Sequence, residues 1–107
     1  MKIVYNKIVP FKGFSAINLF GVVFARKECK PLPDRVVNHE DIHTAQMREL
    51  FYVFFYILYV AQWLMLLIKY QNTNQAYYNI SFEREAYANE DNIEYLKNRK
   101  LWGWIEY

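Results

Sequence analysis

A single cysteine, Cys29, is all the thiol this chain has. No internal disulfide framework can form, which suits a reducing compartment and makes a cytoplasmic location the expectation. Charge of one sign is also lacking. The formal net charge is +2, too little to hold a polyanion, and no Lys/Arg cluster is interleaved with aromatics, so nucleic acid is not an expected partner. Met1 to Lys7 carry neither a long apolar core nor a small-residue cleavage site, so no signal peptide is expected. Repeats and low-complexity segments are absent. Histidine is scarce, with only two in the chain, and their positions matter most.

What is abundant is apolar and aromatic mass. Hydrophobic residues make up 54% and aromatics 20% of 107 residues, with ten Tyr, eight Phe and three Trp. That is ample core for one domain over residues 1–107.

The two histidines stand in Asn38-His39-Glu40-Asp41-Ile42-His43, an H-E-x-x-H. On a helix, positions i and i+4 share a face, so His39 and His43 can aim both imidazoles at one metal ion. Glu40 projects from the edge of that face, within reach of a water on the metal. From ordinary residue frequencies the pattern arises by chance in about one such chain in a few hundred. The plainer alternative is two solvated histidines, with Glu40 and Asp41 as acids of a helix first turn.

Around the motif, residues 2–9 and 16–26 read as strands, with Pro10, Gly13 and Ser15 marking the turn between them. Gly21 inside the second strand suggests a bulge or a close backbone approach. Residues 27–33 form a loop in which Cys29 has no partner at a ligand-like spacing. Asp34 is the expected N-cap of the motif helix, residues 35–49. His39, His43, Gln46 and Leu50 share one face of it; the first three should line a cleft and the last should enter the core.

Residues 50–68 are nineteen positions without a charge. That length approaches the roughly 20 residues a bilayer span needs. Tyr52, Tyr56, Tyr59 and Gln62 form a polar-tipped stripe along one side. A straight helix from His43 to Ile68 would run about 38 Å, so a bend is expected between Met47 and Gln62. The stretch reads as core, or as a surface meeting a membrane or partner, rather than a span. A polar turn at 71–75, a cap at Asn79-Ile80-Ser81 and a charged helix over 82–100 complete the chain. The aromatic tail, 101–107, should pack onto something.

Two histidines do not close a catalytic zinc site, which takes three protein ligands. The remaining donors are carboxylates or Cys29. Glu83 and Glu85 open a helix about forty residues past the motif, in the run Glu83-Arg84-Glu85-Ala86. H-E-x-x-H followed by a glutamate opening an E-x-x-A helix resembles the gluzincin metallopeptidases, and the length is similar to that of the single-domain minigluzincins. The E-x-E-A context is also similar to the membrane-embedded prenyl-protein protease branch.

The resemblance implies a zincin-like α+β domain with a short sheet packed on the two metal-bearing helices and the hydrophobic helix. It implies Zn2+ held by His39, His43 and Glu83, with Glu40 as general base toward a peptide bond. A strand within 17–24 would bind the peptide or protein substrate by strand addition. Tyr87, at i+4 from Glu83, is the candidate to steady the oxyanion. Where the family often places an Asp supporting the first histidine, this chain has Tyr87, leaving Asn89, Glu90 or Asp91 to substitute. Glu85 stays open as the third ligand, since it lies about 200° around the helix from Glu83.

Other readings stand beside this one. The zinc could be structural, stapling a small fold; the module could be membrane-associated through residues 50–68, or a homo-oligomer. Minigluzincins are described as latent, and residues 102–107 could block the cleft here.

Overall fold

Two β-branched runs build a three-stranded sheet from β1 (Lys2–Asn6), β2 (Ala16–Leu19) and β3 (Val22–Arg26). Its order is β1-β3-β2, with β1 parallel and β2 antiparallel to β3. The computed structural model describes residues 2–10 and 14–107, so Gly13 of the expected turn lies outside the described residues. The first strand stops at Asn6 rather than at 9. The Asn6 side-chain oxygen accepts the N–H groups of Ile8 and Val9 at 2.8 and 2.7 Å and turns the chain.

The expected continuous strand over 16–26 is instead a hairpin. Phe20 and Gly21 both have positive φ, 53° and 88°, which a two-residue turn between right-twisted strands requires. The close approach expected at Gly21 is present, since a Cβ there would sit 3.6 Å from the Tyr52 ring.

Helix α1 (Asp34–Glu49) carries the motif. Pro33, not Asp34, occupies its cap position, without a side-chain cap; Asp34 serves as a first-turn acid facing the helix dipole. The expected break falls at Phe51 and Tyr52, whose φ values are 53° and 63°. Beyond it, α2 (Val53–Tyr70) packs against α1 and against residues 73–79.

The polar stripe of α2 faces inward. Tyr56 Oη accepts the Phe20 N–H at 2.9 Å, and Gln62 exchanges two hydrogen bonds with Ser81. The rest of α2 is not core: Phe55 is its one buried residue, and Ile57, Leu58, Val60, Leu64, Met65 and Ile68 are exposed. By length and composition α2 suffices to cross a membrane, with mean hydropathy 1.6 and 6% of it buried.

Where a polar turn was expected, α3 (Thr73–Asn79) forms, capped by Asn72 Oδ1 accepting the Gln75 N–H at 3.0 Å. The turn itself shrinks to Gln71, in the left-handed region at φ 54°. Helix α4 (Ser81–Asn89) starts after Ile80, which caps it without a side-chain bond.

The expected helix over 82–100 ends at Asn89. There Asn38 of α1 donates its amide to the carbonyls of Glu90 and Asn92 at 2.8 and 3.0 Å. Satisfying those carbonyls from outside removes the need for another turn. A short α5 (Tyr95–Asn98) follows. The tail then packs on α4, with the Trp104 and Phe82 ring centroids 4.7 Å apart.

Two apolar clusters result among the described residues. Met47, Leu50, Phe55, Ile80 and Phe82 join α1, α2 and α4, while Val23, Ala25 and Leu32 sit under the sheet with half-buried Cys29 at their edge. Each fully buried side chain of the Phe82 or Ile80 kind contributes about 1.5–3 kcal/mol. The architecture is α+β, and α1 lies between the two clusters with its histidine face toward α4.

Candidate metal centre

His39 and His43 stand one turn apart on α1, ring centroids 4.7 Å apart and nearly perpendicular. Glu83, from the first turn of α4, completes a triangle. His39 Nε2 to His43 Nε2 is 3.1 Å, and Glu83 Oε1 lies 3.2 Å from the first and 3.0 Å from the second. All three residues are buried and converge as a possible ion-holding group. A tetrahedral ion with ligand bonds of about 2.0–2.1 Å would space its donors about 3.3 Å apart. The triangle is therefore of the size a metal ion requires.

The outer ring nitrogens are committed elsewhere. Glu90 Oε1 lies 2.9 Å from His39 Nδ1, and Gln46 Oε1 lies 2.8 Å from His43 Nδ1. Gln46 cannot present its amide nitrogen there, because Nε2 donates to the Phe82 carbonyl and to Glu85 Oε1 at 3.0 and 2.9 Å. Both histidines thus carry a proton on Nδ1 and turn Nε2 toward the triangle, as metal-ligating histidines do. Tyr59 donates to Glu83 Oε2 at 2.6 Å, leaving Oε1 directed at the histidines.

Electrostatics follow the geometry. Burial alone would lower His43, but the Glu83 carboxylate overcomes it and pushes the imidazole up to about 9. Burial would likewise raise Glu83, but the His43 charge and hydrogen bonds from both histidines and Tyr59 hold it well below the carboxylate range. In the metal-free protein the anionic carboxylate therefore attracts a proton to the place a cation would take.

Glu40 lines a cleft of about 790 Å³ beside the triangle, between β2, α1, α3 and α4. Burial pushes its carboxyl up, partly offset by the two histidines. Its backbone is held by Asn18 of β2, whose amide donates to the Glu40 carbonyl and to Thr44 Oγ1 at 2.9 and 2.8 Å. Tyr87 borders the same cleft, its ring edge-on to His39 with centroids 4.5 Å apart, and its hydroxyl 2.9 Å from that of Tyr77.

The structure thus brings His39, Glu40, His43, Glu83 and Tyr87 together. Glu85 faces the other way, fully buried and engaged by Arg99, Tyr95 and Gln46. Among Asn89, Glu90 and Asp91, the one on His39 is Glu90. Gln46 does not line the cleft as expected; it is fully buried behind His43. The tail is also elsewhere. Trp102 N–H bonds to Glu49, Tyr107 to Asn89, and none of residues 101–107 lines the cleft. Cys29 belongs to the sheet cluster and not to the donor group. Sequence reasoning missed Tyr59 and Asn18 as supports; the tyrosine's place in the polar stripe of an uncharged run was its available signal.

Comparisons with protein-family models, with curated proteins and with solved structures each found no match.

Proposed function

We propose that this chain is a zinc-dependent metallopeptidase-like domain of gluzincin type. The observation that carries the reading is Glu40 in an open cleft beside three convergent, buried donors. Three protein ligands suit a catalytic site; a structural zinc site takes four, commonly including cysteine. A divalent cation held by His39, His43 and Glu83 would supply Lewis acidity and a water of lowered pKa. Glu40 takes a proton from water in the cleft and returns it to the leaving amine, a role its burial-raised carboxyl suits. Strand β2 sits at the sheet's edge on the cleft wall, so its backbone offers a peptide a strand to pair with. Tyr87 donates its phenol to the scissile carbonyl oxygen.

The test begins with zinc content in wild type, His43→Ala and Glu83→Ala. About one zinc per chain, lost in both variants, supports the ligand set; a metal-free wild type after metal-replete preparation removes it. Glu40→Gln should then keep the metal and lower peptide turnover by about 10²–10⁴-fold. An unchanged Glu40→Gln would favour a structural zinc.

A second reading concerns location and rests on α2. A helix this long and apolar in a folded domain is usually a buried core helix, yet this one, whose one charge is Lys69 in its last turn, is only 6% buried. Its exposed apolar side therefore rests on a membrane surface while the tyrosine stripe holds the domain.

A further inference from the structure

Behind the donor triangle, on the side away from the cleft, lies a second buried cluster. Glu85 Oε2 accepts hydrogen bonds from Arg99 Nε and Tyr95 Oη, both at 2.6 Å, and Oε1 accepts from Arg99 Nη2 at 3.1 Å and Gln46 Nε2 at 2.9 Å. Arg99 also forks onto Glu49 at 2.9 and 3.0 Å. Glu85, Arg99 and Glu49 have side chains no more than 5% exposed. Two carboxylates on one guanidinium is an expensive arrangement to bury for stability alone, since ion pairs rarely repay their desolvation.

We infer that this C-terminal clamp is a positioning device for the metal centre, with Glu85 acting through Gln46 to keep His43 Nε2 free for a metal. The argument is one of hydrogen-bond polarity. A carboxylate only accepts. Glu85 therefore compels Gln46 to show it an N–H, and the Phe82 carbonyl, 3.0 Å from the same nitrogen, demands the other. The amide oxygen is then turned to His43 Nδ1, 2.8 Å away, where it requires a donor. The Nδ1 proton leaves Nε2 as the ligand atom. Arg99 and Tyr95 hold the Glu85 carboxylate in the one position from which it reaches Gln46. Gly103 packs directly against that carboxylate: a Cβ there would fall 2.9 Å from Glu85 Oε2. The tail thus reaches the metal centre from behind.

The inference rests on His43 as a metal ligand and not on peptidase activity. Its test is Zn2+ affinity, measured by chelator competition on the full chain, with circular dichroism confirming the fold. Gln46→Met, close in volume and uncharged, removes the acceptor and should weaken zinc binding about 10- to 100-fold. Glu85→Gln leaves only the Phe82 carbonyl to orient the position-46 amide and should weaken zinc binding by a smaller factor.

The deciding comparison is Ile80→Val, a loss of buried volume that destabilises the fold without touching Gln46 or Glu85. Its zinc affinity in the folded protein should stay within a few-fold of wild type, while Gln46→Met falls well below it. A clamp that merely stabilises the fold would leave zinc affinity of folded Gln46→Met and Glu85→Gln unchanged, or lower it no further than Ile80→Val does; either result overturns the inference. A wild type that binds no zinc removes the metal centre itself, a different outcome from wild-type binding with unaffected variants.

Discussion

Glu90 and His39 are 51 positions apart in the chain, yet their side chains meet at 2.9 Å through Oε1 and Nδ1. The pairing exists because α4 ends at Asn89 and Asn38 draws the following carbonyls onto α1, only one residue before His39. Replacing Glu90 by Ala leaves His39 Nδ1 without its partner and should weaken metal binding about 10- to 100-fold. Chelator competition reads it. An affinity equal to wild type would show that Glu90 does not orient the imidazole.

Metal should stabilise the fold, because the donors come from two helices that unfolding separates. At a hundredfold excess over Kd the gain is about 2.7 kcal/mol. For a domain of this size that raises Tm by roughly 10–20 °C. Thermal melts with and without chelator measure it, and Glu83→Ala should abolish the difference.

Tyr56 should contribute to the alkaline limb of stability, beside Tyr59, Tyr77, Tyr87 and Tyr95, whose phenols burial also holds above their ordinary value. Burial holds its phenol above the ordinary value of 10, partly offset by the Phe20 N–H. A neutral phenol kept protonated in the folded state contributes stability that is full below pH 10 and is lost as pH rises through the folded pKa. The slope per group is at most about 1.4 kcal/mol per pH unit. Tyr56→Phe should cost about 0.5–1.5 kcal/mol at neutral pH through the lost bond to Phe20. It should also make the fall in urea-unfolding stability between neutral pH and pH 11 shallower without removing it; an equally steep limb would rule Tyr56 out.

Gly103 offers the smallest perturbation of the tail. A methyl there would meet Glu85 Oε2 at 2.9 Å, and that carboxylate is tied to Arg99, Tyr95 and Gln46. With no slack to give, Gly103→Ala should destabilise the protein by about 1–3 kcal/mol. Urea denaturation checks it, and a neutral result would mean the tail is free to move off α4.

The exposed side of α2 can be tested with vesicles. Leu64 and Ile68 are 49% and 74% exposed and share that side. Burying each in lipid contributes about 1.5–3 kcal/mol. Leu64→Glu with Ile68→Glu should therefore weaken flotation with phospholipid vesicles by more than tenfold while leaving zinc binding intact. A wild type that stays with the protein fraction, away from vesicles, would end the membrane reading.

Much of the fold was legible because its signals are local. The histidine pair, the break after Met47 and the inward stripe of Tyr56, Tyr59 and Gln62 all follow from helical period and reach. Other boundaries were not. The hairpin at Phe20-Gly21 looked like one strand because Phe is a strand former and its left-handed φ is imposed by the turn. The end of α4 was hidden because residues 90–98 have ordinary helix propensity, and the amide that stops the helix belongs to Asn38.

By itself the sequence determined that His39 and His43 share a helix face with Glu40 at its edge, since α-helical geometry needs no partner to set it. Only the tertiary structure decided between Glu83 and Glu85. The two point about 200° apart on one helix, and nothing local prefers either. The choice falls to how α4 lies. Phe82 and Ile80 sink into the core with Met47, Arg99 captures Glu85 from behind, and Glu83 is left facing the histidines.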